Sequence, residues 1–127
     1  MAVGANPTFL SSAASVGAIT FTVASGDKVA VNVNGVVART GSTNKINVTF
    51  WACYQDSGGA ITVPSPNRTF FTTDNAPTTG SWFPLSQNYI FSFTGPGTYT
   101  FGACAQVTTG SDTLAFRYVN ASAFRFR

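Results

Sequence analysis

The sequence predicts an all-β, single-domain antiparallel β-sandwich of jelly-roll type with about eight strands. Three observations carry that expectation. Apolar residues recur at every second position in run after run, which is the period of a half-buried strand. Turn signals such as Gly26-Asp27, Asn34-Gly35, Gly95-Pro96-Gly97 and Gly110-Ser111-Asp112 punctuate the chain about every ten residues. No window keeps a 3.6-residue apolar period, and strong helix formers are scarce, with no Glu and one Met.

Residues 1–15 are small and polar apart from Phe9-Leu10 and read as an extended arm or short edge strand; residues 16–127 form the sandwich domain. Ile19, Phe21 and Val23 alternate with Thr20 and Thr22 up to the Gly26-Asp27 turn. Val29, Val31 and Val33 continue the pattern. Asn34-Gly35 is a hairpin signal, but the turns on either side leave short arms, so one strand over Lys28–Arg39, bulged at Asn34-Gly35, is preferred. Lys45 to Gln55 puts Ile46, Val48, Phe50, Ala52 and Tyr54 on one face and Asn47, Thr49, Trp51, Cys53 and Gln55 on the other. After the Asp56–Gly59 turn come two short strands, Ile61–Val63 and Arg68–Thr72, split by Pro64-Ser65-Pro66. A polar loop over Thr73–Gly80 leads to Trp82-Phe83-Pro84.

Phe93 to Val107 is the anchor of the chain. Tyr99, Phe101, Ala103, Ala105 and Val107 share one side, opposite Thr98, Thr100, Gly102, Cys104 and Gln106. The run Tyr89, Phe91, Phe93 alternates too, so the two runs predict a hairpin closed by Gly95-Pro96-Gly97. In the last strand Leu114, Phe116 and Tyr118 face one way and Phe124 and Phe126 keep that parity, leaving Arg117, Arg125 and Arg127 together on the opposite face.

The 127 residues suffice for one domain with a real core. Charged residues make up 9%, against roughly 25% in an average soluble domain. Such a surface relies on Thr, Ser, Asn and Gly for polarity or is covered by neighbouring copies. The net charge of +3 rests on few groups and makes no case for nucleic-acid binding. No segment reaches the ~18 apolar residues of a membrane span. Met1 to Pro7 lacks the basic start and apolar core of a signal peptide, which suggests a signal already removed or synthesis in a cytoplasm without export.

Cys53 and Cys104 lie on the less apolar faces of their strands. Matching parity suits a disulfide between neighbouring strands of one sheet, on its outer side, against two buried free thiols. Proton transfer near neutral pH lacks its usual agents: there is no His or Glu, and Asp27, Asp56, Asp74 and Asp112 each sit at a turn. A catalytic triad, a zinc site, a calcium loop and a phosphate loop all lack their residues. The expectation is a non-enzymatic protein without catalytic residue, cofactor or metal. For binding, Trp82 and Phe83, with Trp51, are the candidate aromatic platform for a sugar ring, against packing under loops. Arg117, Arg125 and Arg127 are the candidate basic patch, against a solvated face.

At Pro96-Gly97-Thr98-Tyr99-Thr100-Phe101 the chain resembles the Pro-Gly-x-Tyr-x-Phe strand of C1q/TNF-like jelly rolls. The Cys53-Tyr54-Gln55 strand with Gly102-Ala103-Cys104 is similar to small β-sandwich domains of phage and bacterial surface proteins. The likeness covers about a third of the chain. It implies a compact sandwich that trimerises through an apolar, aromatic flank, and no family binding residue carries over. Together these readings predict a homo-oligomeric virion-surface or extracellular protein. It is a decoration or fibre-type component meeting other virion or surface proteins and a host or glycan. The alternatives are a secreted carbohydrate-binding module and a filament subunit whose arm adds a strand to its neighbour.

Overall fold

The computed structural model describes residues 2–3, 6–10, 19–39, 46–62, 69–73, 82–109 and 114–127. In chain order the strands are β1 (Ala2–Val3), β2 (Thr8–Phe9), β3 (Ile19–Val23), β4 (Lys28–Arg39), β5 (Ile46–Asp56), β6 (Thr69–Thr73), β7 (Trp82–Ser92), β8 (Gly97–Thr109) and β9 (Leu114–Phe126). Seven have five or more residues, and two are two-residue strands near the N-terminus. All the pairings are antiparallel, and the described residues contain no α-helix.

Pairing follows a nested order. The first strand, β1, pairs with the last, β9; β2 and β3 together line β8; β4 pairs with β7; β5 pairs with β6. The chain is thus a doubled ribbon wrapped into two facing sheets, β1-β9-β4-β7 and β2/β3-β8-β5-β6. With β2 and β3 filling one edge in tandem, this is the strand order of an eight-position jelly roll. The strand periods set which side is buried. Val29, Val31, Val33, Val37, Leu85, Phe91, Phe116 and Val119 from one sheet meet Val48, Phe50, Ala52, Phe101, Ala103 and Ala105 from the other. Val3 and Leu10 are buried in the same core, so the described parts of the N-terminal segment close their own sheets.

The expected hairpin at Gly95-Pro96-Gly97 is overturned. β7 pairs with β4 and β8 pairs with β5, so the turn arches from one sheet to the other. The cause lies in the side chains that flank it. Phe93 and Tyr99 face each other across the core with centroids 4.9 Å apart, and Tyr54 packs edge-on against Phe91 and Tyr99, each 5.0 Å away. Alternation in both runs reports a shared interior, which an arch satisfies as well as a hairpin. A second arch, β3 to β4, lies alongside. Gly26 N donates to Phe93 O (2.8 Å) and Phe93 N to Asp27 O (3.0 Å).

β4 spans Lys28–Arg39 as one strand, and its register against β9 shifts at Asn34/Val36. The extra residue belongs to the partner. Asn34 pairs with Asn120 and Val36 with Arg117, so Tyr118 and Val119 oppose Gly35 alone. A Cβ at Gly35 would lie 3.1 Å from Val119 Cγ2, a tight contact that glycine avoids. Beyond the bulge the parity of β9 reverses. Phe124 and Phe126 therefore point outward instead of joining Phe116 in the core, and Arg117 lies on the opposite side of the sheet from Arg125 and Arg127. The arginines do not share a face.

Cys53 and Cys104 are disulfide-bonded across neighbouring strands, with Cα atoms 5.9 Å apart, on the outer side of their sheet. The bridge, Trp51 and Phe9 form a small second cluster with Ile61 packed against it. The expected Ile61–Val63 strand reduces to a single bridge, Gln55 to Ile61, with Val63 outside the described residues. The Thr73–Gly80 loop beyond Thr73 and the Gly110-Ser111-Asp112 turn lie outside them as well.

Two stability outcomes follow. Gly35→Ala should cost roughly 1–3 kcal/mol by overpacking, and less in a Val119→Ala background, read from denaturant midpoints. Replacing both cysteines by Ala opens a cross-link with a sequence separation of 51. The loss should approach about 4 kcal/mol by loop-closure entropy, less where the unfolded chain stays compact.

Candidate binding surface

The outer face of the β9-β4-β7 sheet can be read row by row from its register. Ser92, Lys28 and Phe126 form the first row; Ile90, Ala30 and Phe124 the second. Asn88, Asn32 and Ser122 form the third, and Ser86, Asn34 and Asn120 the fourth. Tyr118 follows at the bulge, then Pro84, Val36 and Arg117. Two rows of amides and hydroxyls without a formal charge thus separate two more apolar ends. Among the described residues the exposed large hydrophobic side chains, Ile90 (54%), Tyr118 (72%) and Phe124 (68%), all lie on this face. Phe124 and Phe126 stack with centroids 6.1 Å apart. The surface carries shallow open depressions, one along Ala30, Asn32, Asn88 and Ile90 and another around Tyr118, Asn34 and Ser86.

Sequence reasoning missed Phe124 and Tyr118 because it carried parity straight through β9. The signal was present: Asn34-Gly35 announced a bulge, and a bulge in either strand of the pair changes parity.

Of the predicted platform, the structure describes the side chain of Trp51 alone. Trp51 is fully buried and donates Nε1-H to Thr62 O at 3.2 Å, so it packs beneath the loop after β5 and offers no open face. The backbones of Trp82 and Phe83 lie at the start of β7, opposite Ala38 and Val37; their side chains fall outside the described residues.

The predicted basic patch is divided. Arg117 is on the outer face, whereas Arg125 and Arg127 fold over the arch end of the sandwich. Asp27, buried there, accepts a hydrogen bond from Arg127 Nε at 2.8 Å, and Arg125 Nε lies 4.0 Å away. Arg125 Nη1 also donates to Thr22 O at 2.7 Å. Asp27 closes its own turn from both sides: Ala24 N donates to Oδ2 at 2.8 Å, and Asp27 N donates to Ala24 O at 3.1 Å. Gly26 supplies the required positive φ of 86°. The Ala24 amide first and the Arg127 guanidinium second hold the Asp27 carboxyl below its ordinary 3.8. The reading of Asp27 and Asp56 as turn residues fits; Asp56 Oδ1 accepts from Gly58 N and Ala60 N, each at 2.9 Å.

Among the described residues no three His, Cys, Asp or Glu side chains come together, and no helix is long and apolar enough to cross a membrane. No protein-family model matches the chain, and no curated protein matches it significantly.

Asp27 should make the fold acid-sensitive. Its folded-state pKa lies below the unfolded one, so its contribution is full above about pH 4 and lost as pH falls through the folded value. Asp27→Asn should lower Tm at about pH 7, and the gap from the parent should close toward about pH 2. A pH-independent gap would assign the loss to packing.

Proposed function

We propose that the chain is a non-enzymatic structural and attachment protein of a virion surface, a decoration or fibre-type component that works by self-assembly. The observation that carries this reading is the apolar end of the outer face. Ile90 and Phe124 stand more than half exposed beside Phe126 and Ala30, on a protein with seven basic and four acidic residues. Apolar side chains gathered on one face, with little charge around them, suit burial against another protein surface. A second copy is the proposed occupant, and a trimer the proposed state. Two further features support the setting. The Cys53–Cys104 bridge fits an oxidising environment. Capsid and lectin domains also use the jelly-roll order, which is an analogy of fold and not of site.

Residues Ala2–Val3 and Thr8–Phe9 pair within their own sheets, so the filament reading, in which this segment completes a neighbour's sheet, would require those pairs to open.

Light scattering behind a sizing column tests the proposal. The expected result is a discrete oligomer, converted to monomer by Phe124→Ser with Ile90→Ser. Both side chains are already solvent-facing in the single chain, so the fold should tolerate the change. Burial of such groups is worth about 1.5–3 kcal/mol each when complete, enough for at least tenfold weaker association. A parent protein that stays monomeric at the highest accessible concentration would overturn assembly and favour the carbohydrate-binding module.

A further inference from the structure

We propose that Tyr118, Asn34 and Asn120 form a binding site for a neutral saccharide. The site lies at the other end of the outer face from Phe124 and does not depend on assembly through that end.

Tyr118 is the single described non-glycine residue with a positive φ, 50°. Bulky residues rarely adopt that backbone, and strain of this kind persists where the surroundings enforce it, often at functional sites. Burial of the ring does not compensate, since Tyr118 is 72% exposed. The bulge instead stands an aromatic ring beside an open depression of about 460 Å³ lined by Asn34, Val36, Pro84, Ser86 and Asn120.

The amides in that depression are ordered and only partly used. Asn120 Nδ2 donates to Asn34 Oδ1 at 3.3 Å and to Tyr118 O at 3.0 Å. The two hydrogens of the Asn120 amide are thereby engaged, which fixes both side chains and holds the bulge. Asn34 Nδ2 and Asn120 Oδ1 keep no partner among the described residues. They offer a donor and an acceptor on directly opposed strand positions, whose Cβ atoms lie about 5 Å apart in such a pair. Two neighbouring hydroxyls of one sugar ring, each both donor and acceptor, can take this pair while the C–H face of the ring lies on Tyr118.

Two alternatives fit less well. An extended peptide adding a strand would dock along the edge strand β7, whereas Tyr118, Asn34 and Asn120 stand on β9 and β4, inside the sheet. A strongly anionic ligand would need a cluster of cations; among the described residues Arg117 in the next row is the one charged side chain on this part of the face, and Arg125 and Arg127 are committed to Asp27 and the arch end.

The experiment is an array of neutral and sialylated glycans probed with the full chain, followed by titration of the strongest neutral hit. Tyr118→Gly is the key variant, because glycine adopts the same positive φ without strain and its Tm should hold or rise. Its affinity should fall at least about tenfold, and Asn34→Ala should lose a similar factor. An array with no neutral hit, binding confined to sialylated glycans, or equal affinity in Tyr118→Gly would each overturn the proposal. The single-site variants leave Phe124 and Ile90 in place, so loss of sugar binding with an unchanged oligomer separates this site from the assembly surface.

Discussion

Gly35 lies against Val119, and the register of the β4/β9 pair turns on that contact. Two residues of β9 stand opposite one residue of β4, and glycine there leaves room for Val119. From there to the C-terminus each β9 side chain is moved to the other face. The interior explains why this arrangement wins. At the arch end the core already holds Phe91, Phe93, Phe101 and the ring of Tyr54 in mutual contact. What β9 adds against that block is Ala121 and Ala123. Without the bulge, Phe124 and Phe126 would be driven into a space filled by other rings, and dense cores do not absorb such volume. The bulge therefore resolves a packing conflict, and the exposed aromatic pair is its consequence.

The same reversal disposes of the terminal charges. Arg125 and Arg127 take the parity that leads over the mouth of the sandwich, where the β3–β4 arch has buried Asp27. A lone buried carboxylate would be costly, but this one receives an amide from its own turn and a guanidinium from the last residue. First and last parts of the domain are joined there, next to the β7–β8 arch that Gly26 and Asp27 hold through Phe93. A basic patch read from sequence is in this way converted into a latch between three segments of chain.

How much of this was legible follows from what periodicity measures. Alternation reports the side of a sheet, and it assigned the inward faces of β3, β4, β5 and β8 as found. It also set Cys53 and Cys104 on a common outer side, where their disulfide lies. It does not report the pairing partner, so Tyr89, Phe91 and Phe93 beside Tyr99 and Phe101 looked like a hairpin although they face one another across the core. Nor does it survive an extra residue: Asn34-Gly35 marked the bulge, yet the insertion lay in β9, about eighty positions away in the chain. The parts of the candidate surface that were missed, Tyr118 and Phe124, both depend on that one long-range register.

The two outer faces also differ in how far they satisfy themselves. On the β3-β8-β5 sheet, Thr20 and Thr100 share a hydrogen bond at 2.9 Å, and Thr22 and Thr98 another at 2.8 Å. Farther along, Trp51 and the disulfide are sealed by Phe9 and Ile61. On the described part of that face the threonines pair and the disulfide and Trp51 are covered, while Asn47 Oδ1 and Thr49 Oγ1 are buried without a hydrogen-bond partner. The opposite face holds exposed rings at both ends and, between them, an amide pair with capacity left over. Among the described residues, the exposed rings and the partly used neutral amides gather on one sheet of a protein with 9% charged residues. The disulfide cross-links the scaffold on one side, and on the other the bulge sets which side chains stand outward.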